Sequence, residues 1–353
     1  MATAAVPATA VGATAAPAAV PLRDHLGSIS VEPCLASVLT AIAAAVEEVA
    51  AAVRTGLTRK CATFNAFGDE QLEIDVIADE IIVRHLRTST SAVCVASSEE
   101  RPIPFPITPI PPPAAAVDAA GAPPSYGVAY DPLDGSSVIG SNFAVGSLFA
   151  IFPGDTLTGP SLTGRDAVAS VLVTYGPRTM LYIALRGVAG VAEALLVPAG
   201  GSSGGPKGGW SVLRVLHGWE PTKRLFAPGN LRATGNHPGY RRLVDSWLDA
   251  RYTLRYTGAL VADVVNLLIA GGGVFCNATS AEAPAKLRLL HELIAVGLVV
   301  ESAGGVASTG GGALLDVPIA HAEVRCAVCV GGEEQVRRYD EWVGPAATSA
   351  TKR

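Results

Sequence analysis

The residues best suited to chemistry in this 353-residue chain are acidic, and they come in pairs. Asp131 and Asp134 follow the apolar run Tyr126 to Tyr130. Between them Pro132 removes a backbone donor and stiffens the turn, and Gly135 after them permits tight backbone geometry. Two carboxylates three residues apart on a rigid turn can face one hard cation, and the Leu133 carbonyl can face the same place. Gly135, Ser136 and Ser137 then offer consecutive N–H groups and two hydroxyls, a cradle for a phosphate. On this segment alone, an ordinary Asx turn explains the sequence equally well.

Three further elements share this character. Glu99-Glu100 ends another short apolar run and, taken alone, reads as a solvated loop. Asp69 and Asp75 lie at the start and inside of a helical pattern, and Asp75 sits between Ile74 and Val76. A buried carboxylate there must be paired, hydrogen-bonded or metal-bound. Lys286, Arg288 and Glu292 form the fourth element, with Arg288 and Glu292 four apart on one expected helix face, either as a surface ion pair or as ligands for phosphate and metal. Such a set suits two or three Mg²⁺ ions, which activate water and polarise a phosphoryl group. No His/Cys cluster of zinc type, nucleotide phosphate loop, dinucleotide fingerprint or serine-hydrolase elbow is present.

The elements that must hold these residues are legible as periodicity. Leu35, Leu39, Ile42, Val46, Val49 and Val53 mark a helix from about 33 to 54, and a second helical segment opens at Gly68-Asp69-Glu70 and runs through Leu86. Strands are expected at 93–96, 126–130, 141–152, 168–174, 180–185, 191–197, 274–275 and 324–330. Helices are expected at 240–250, 259–270, 286–301 and 333–342. The proline-rich stretch 101–126 reads as an exposed loop, and the Gly/Ser-rich stretch 200–209 as a hinge. Alternating helices and strands without a repeat indicate an α/β or α+β layered fold. The expected organisation is a disordered tail (1–21), an N-terminal lobe carrying the acidic pairs (22–205), a C-terminal lobe carrying Lys286, Arg288 and Glu292 (206–344) and a short tail (345–353).

Hydrophobic residues make up 49% of the chain and charged ones 16%, but much of the former is alanine. Glu47 and Glu48, Asp263 and Gly271 to Gly273 break the longest apolar segments, so no membrane span is expected. A formal charge of -5 and no dense basic run exclude nucleic acid as the main partner. The six scattered cysteines read as reduced thiols, the lone Cys326-x-x-Cys329 included. A cytoplasmic location is expected.

The order Gly68-Asp69-Glu70…Asp75, Ser98-Glu99-Glu100, Asp131 to Ser137 and Lys286 to Glu292 resembles the fructose-1,6-bisphosphatase family over roughly residues 33–343. Within that family, Pro228 to Thr234, Tyr252 to Gly258 and Phe275-Cys276-Asn277 are similar to the sedoheptulose-bisphosphatase branch. The resemblance implies an α/β/α/β/α sandwich, and Mg²⁺-dependent hydrolysis of the 1-phosphate of sedoheptulose 1,7-bisphosphate, with fructose 1,6-bisphosphate the alternative substrate. A catalytically silent binding protein on the same fold is the remaining reading. The resemblance assigns Glu99, Asp131, the Leu133 carbonyl, Asp134 and Glu292 to Mg²⁺ (Mn²⁺ as the alternative ion), with Asp69 more peripheral. It assigns Asp75 and Glu100 to the attacking water, and Gly135, Ser136, Ser137 and Arg288 to the 1-phosphate. Asn230, Tyr256, Asn277 and Lys286 would hold the sugar and distal phosphate, and Arg255 would reach that phosphate from a neighbouring subunit of a homodimer or homotetramer. Plastid members carry a C-x-x-x-x-C pair before Gly-Asp-Glu, whereas this chain has only Cys61 there, so that redox switch is not expected. No AMP-binding pattern is visible near Ser28 to Ala36, and His291 is expected to pack rather than ligate.

Overall fold

A computed structural model of the chain describes residues 19–56, 60–64, 70–107, 124–198 and 208–344. The first half runs β1 (Val20–Pro21), α1 (Leu22–Ser28), α2 (Pro33–Thr55), β2 (Lys60–Phe64), β3 (Glu70–Leu72), α3 (Glu73–Thr88), β4 (Val93–Ser98) and β5 (Phe105–Pro106). It continues with β6 (Tyr126–Asp134), α4 (Ser136–Ile139), β7 (Val145–Pro153), β8 (Ala169–Tyr175), β9 (Thr179–Leu185), β10 (Val191–Val197) and β11 (Gly209–Leu216). Then follow β12 (Leu225–Gly229), α5 (Pro238–Asp249), β13 (Thr253–Leu254), α6 (Leu260–Ala270) and β14 (Val274–Asn277). A π-helical turn, Leu289–Leu293, leads into α7 (Ile294–Ser302), and β15 (Val306–Ser308), β16 (Val328–Gly331) and α8 (Glu333–Val343) close the chain.

Among the described residues the strands form a sheet of nine in the order β1-β11-β10-β9-β8-β7-β6-β4-β5, a sheet of five in the order β13-β12-β14-β16-β15 and the pair β2-β3. The period-2 alternation of the strands in the two large sheets separates three cores. Val128, Tyr130, Phe149 and Ile151 face α2 and α3, whose Leu39, Ile42, Ile74 and Ile82 complete the first core. Ala129, Leu148, Ala150 and Phe152, on the opposite face, pack with α6, α7 and the inner face of the small sheet. The outer face of that sheet, Phe226, Val274 and Cys276, packs with Tyr240 and Trp247 of α5 and Tyr339 of α8. The layers therefore run α/β/α/β/α, as expected.

Several boundaries differ from the sequence reading. The second helix starts at Glu73, because Glu70 to Leu72 pair as a strand with Lys60 to Phe64. Strand β11 follows the Gly/Ser-rich stretch yet pairs antiparallel with β10, so the chain changes sheet between Leu216 and Leu225 rather than at 205/206. Most of that stretch, and residues 108–123, lie outside the described residues. The N-terminal tail was expected to extend to residue 21, but Val20 and Pro21 pair with Val212 and Ser211. Helix α2 forms where expected, but despite Glu47 and Glu48 in its apolar run it is long and apolar enough in composition to cross a membrane; Val38, Leu39, Ile42, Val46 and Val49 instead fill the first core. Cys326 precedes β16 rather than lying within it, and both Cys326 and Cys329 are free thiols.

Candidate active site

The segment Asp131-Pro132-Leu133-Asp134 is the end of a central strand, and every residue of β6 is buried. Pro132 has no N–H, and the β6–β7 register slips between Asp131↔Leu148 and Asp134↔Gly146. That is a bulge, which re-aims the side chains on either side of it. Two side chains satisfy the broken ladder. Ser147 Oγ donates to the Pro132 carbonyl at 2.7 Å, and therefore accepts from the Tyr175 hydroxyl 2.8 Å away. Asp131 Oδ1 accepts from the Leu133 N–H at 2.9 Å, so an Asx turn is indeed present. Asp134 accepts from the N–H groups of Leu260 (3.1 Å) and Val261 (2.7 Å), at the positive end of α6. Gly135 takes φ +82°, and a Cβ there would lie 2.4 Å from the Ala259 Cβ, so only glycine fits between β6 and α6.

The other acidic elements arrive from three directions. Ser98 and Arg101 exchange backbone hydrogen bonds at 3.1 Å in both directions, which puts Glu99 and Glu100 at the tip of a tight turn. The Glu99 N–H donates to the Tyr130 carbonyl at 2.9 Å, fixing this tip beside Asp131. Asp75 is buried in the first turn of α3, where Oδ2 accepts from the Leu72 N–H at 3.1 Å. Its Oδ1 is buried without a hydrogen-bond partner, although the Ser136 hydroxyl is near enough to favour the anion. Glu292 enters from the π-helical turn, and its Oε2 accepts from the Arg288 N–H at 2.5 Å. This differs from the expected helix face shared by Arg288 and Glu292. Arg288 is extended (φ -90°, ψ 133°) and precedes the helix, so the two residues meet through backbone rather than as an i, i+4 pair. The Arg288 guanidinium, 4% exposed, pairs with Glu99.

Electrostatics shows how close these groups are. Burial pushes the Asp75 carboxyl up to about 7, helped by the charges of Glu100 and Glu99. Burial raises Asp131 well above the usual range, with Glu99, Glu292 and Asp134 adding to it. Burial lifts Asp134 to about 7 and Glu292 to about 8, each with Glu99 contributing. Mutually repelling buried carboxylates of hard oxygen character fit divalent cations, whose charge would offset the cluster. Among the described residues, no three His, Cys, Asp or Glu side chains are placed to hold an ion as they stand. One reason is visible: Glu99 is turned onto Arg288.

Of the expected sugar-side residues, Asn277 ends β14 next to Gly229 of β12, with Oδ1 buried and unpartnered. Asn230 (φ 48°) donates its amide to the carbonyls of Ala278 and Ala283 at 2.7 and 2.9 Å, pinning the loop after Asn277. Tyr256 is 45% exposed, and its phenol is raised by partial burial and by the charges of Asp263 and Asp134. Arg255 is exposed beyond the edge strand β13, and Lys286 is exposed before the π-helical turn; neither contacts the carboxylates among the described hydrogen bonds and ion pairs. Asp69 lies outside the described residues. His291 is fully buried, held by Ser97 Oγ at 2.8 Å, and burial pushes its ring down to about 3, so it packs as a neutral imidazole.

Sequence reasoning missed Asp79. It is 2% exposed and one helical turn beyond Asp75 on α3. The signal was present: two aspartates at i, i+4 on an apolar helix cannot both be solvated.

Two domain families match the chain. The fructose-1-6-bisphosphatase N-terminal domain covers residues 26–202 and the C-terminal domain residues 220–344. A chloroplastic sedoheptulose-1,7-bisphosphatase of Chlamydomonas reinhardtii is 40% identical over 329 residues, 91% of this chain and 77% of that one. A class 1 fructose-1,6-bisphosphatase of Trichlorobacter lovleyi is 33% identical over 328 residues, 92% of this chain and 95% of that one. A crystal structure from Toxoplasma gondii, assigned provisionally as a sedoheptulose-1,7 bisphosphatase, superposes with a TM-score of 0.79 at 35% identity, covering 92% and 98% of the two chains. Four separated acidic elements brought to one strand end, on a fold and sequence matched along both halves, lead to one conclusion: the chain belongs to the fructose-1,6-bisphosphatase family.

Proposed function

We propose that this sugar bisphosphatase removes the 1-phosphate of sedoheptulose 1,7-bisphosphate, with Mg²⁺ as cofactor. The observation that carries the reading is the convergence of acidic elements at the end of β6: the Glu99 N–H is bonded to the Tyr130 carbonyl beside Asp131, Arg288 joins Glu99 to Glu292, and Asp75, Glu100 and Asp134 complete the cluster. Glu99, Asp131, Asp134, Glu292 and the Leu133 carbonyl would hold the ions, joined by Asp69 on the strength of the family resemblance alone. Bound divalent cations supply charge neutralisation at the phosphoryl oxygens and at the leaving oxygen.

The rest of the chemistry falls to the chain itself. Asp75 and Glu100 orient the attacking water and accept its proton; burial raises the Asp75 carboxyl in the metal-free chain, and bound cations would lower it toward the ionised, proton-accepting form. The N–H groups and hydroxyls of Gly135, Ser136 and Ser137, with the buried Arg288 guanidinium, hold the phosphoryl group as charge builds on it. The proton acceptors sit on α3 and the β4 turn, while the phosphate cradle sits on α4, so the two functions approach from different elements.

Sugar choice rests on the small sheet. Asn277 offers an unpartnered acceptor to a sugar hydroxyl, Asn230 fixes the loop behind it, and Tyr256, Lys286 and Arg255 face the distal phosphate, Arg255 from a second subunit. The greater identity to relatives named for sedoheptulose favours the seven-carbon sugar. Similarity to class 1 fructose-bisphosphatases over 92% of the chain keeps the six-carbon sugar as a second reading. Steady-state kcat/KM on both bisphosphates decides between them: a larger value for the sedoheptulose substrate is expected, and a larger value for the fructose substrate would reverse the assignment. Asn277→Tyr is expected to shift that ratio toward fructose 1,6-bisphosphate. An unchanged ratio would remove Asn277 from the specificity wall.

A further inference from the structure

Behind the acidic cluster lies a second, smaller network. Asp79 Oδ1 accepts from the Tyr130 hydroxyl at 2.7 Å, and Asp79 Oδ2 pairs with Arg101 Nη2 at 2.6 Å. Asp79 is 2% exposed, Tyr130 is fully buried, and the Arg101 side chain is 45% exposed. Phe105 supports the outer side of Arg101, its ring centroid 5.6 Å from the guanidinium carbon. Phe149 stacks on Tyr130 at 5.7 Å between ring centroids.

The partners of Asp79 are adjacent in sequence to candidate ligands. Arg101 directly follows Glu100 and closes the Glu99-Glu100 turn through its two backbone bonds to Ser98. Tyr130 directly precedes Asp131, and its carbonyl holds the Glu99 N–H. Asp79 itself is four residues after Asp75, one turn along the same helix face. A single carboxylate thus ties together α3, the β4 turn and the end of β6, which carry Asp75, Glu99-Glu100 and Asp131. A buried carboxylate is expensive unless fully hydrogen-bonded and paired, and removing one partner leaves the other exposed to that penalty. Such a group fixes the geometry of everything attached to it.

We propose that Asp79 is a positioning residue: with Arg101 and Tyr130 it sets the separation of the three acidic elements and thereby their affinity for divalent metal. This rests on the reading of Glu99 and Asp131 as metal ligands. Outer partners that orient ligands in metal sites change affinity by about 10- to 100-fold when removed. Loss of the Asp79 pair should fall in that range.

The test uses the full chain and Mn²⁺ as a spectroscopic probe. Mn²⁺ binding is titrated by electron paramagnetic resonance for the wild type, Asp79→Asn, Arg101→Gln and the double variant. The melting temperature of each is measured in a chelator. Arg101→Gln lies at the half-exposed end of the pair and keeps the test open if Asp79→Asn fails to fold. The expected result is Mn²⁺ binding weakened about tenfold or more in Arg101→Gln, with the double variant no weaker than the weaker single variant, because both changes break one interaction. Variants that melt lower but bind Mn²⁺ within twofold of wild type would overturn the proposal, since a purely structural role moves only the melting temperature. Losses that multiply in the double variant would overturn the shared hub. If wild-type protein itself bound no Mn²⁺, the metal-site reading would fall, and this proposal with it.

Discussion

Asp75 is the residue whose chemistry is most exposed to test. It combines a capping role, through the Leu72 N–H, with a buried and unpartnered Oδ1. The capping reading therefore holds on Oδ2, and the proposed contact with the attacking water falls to Oδ1. Burial, with Glu100 and Glu99 nearby, lifts it to about 7 in the metal-free protein, and bound cations would draw it down. Asp75→Asn keeps shape and the capping acceptor but cannot take a proton. It is expected to lower kcat by about 10²- to 10⁴-fold with little change in KM. The pH profile of kcat/KM, which should show an acidic limb at or below 7 in the wild type, should lose that limb. A profile unchanged in shape and height would remove Asp75 from proton transfer.

At the level of elements, what was legible was periodicity, and what was hidden was context. Helix α2 and the hairpin β8–β9 follow from apolar spacing and a Gly176-Pro177 turn, and they form where expected. The π-helical turn before α7 does not. Apolar spacing from Leu287 onward continues a helical pattern, but Arg288 is held extended by a bridge to Arg325, so the helix starts only at Leu289. Strand β11 was unreadable because its pairing with β10 crosses a Gly/Ser-rich stretch that looks like a boundary. The acidic turn was half legible. Its Asx turn and its glycine followed from residue types, but the anchoring of Asp134 on the first turn of α6 is a contact across 126 and 127 residues. Gly135 tests that junction. Gly135→Ala puts a Cβ into Ala259 at positive φ and should destabilise the protein by about 1–3 kcal/mol, read as a lower urea midpoint. An unchanged midpoint would mean β6 and α6 are not locked there.

For the molecule as a whole, the acidic cluster makes metal-free stability depend on pH. Asp75, Asp134 and Glu292 have folded values of about 7, 7 and 8, all above their unfolded values. A carboxyl raised on folding binds its proton more tightly in the folded state. Its contribution is therefore fully present below the unfolded value near 4 and is lost as pH rises through the folded value. Metal-free protein should melt progressively lower between about pH 5 and pH 8 from this cluster. Mg²⁺ bound at these carboxylates would take the place of the lost protons, so its stabilisation should be larger at pH 8 than at pH 6, measurable by melting with and without chelator. A Mg²⁺ effect independent of pH would argue against binding at these carboxylates.

The most direct measurement is phosphate release from sedoheptulose 1,7-bisphosphate by the purified full chain, wild type and Asp131→Ala side by side, with Mg²⁺ and with chelator. The expected result is one phosphate released per sugar by the wild type with Mg²⁺. Release should be absent with chelator and absent from a folded Asp131→Ala protein under either condition. Release that persists in chelator, or in Asp131→Ala, would contradict the assignment of the metal and of the catalytic centre to the end of β6.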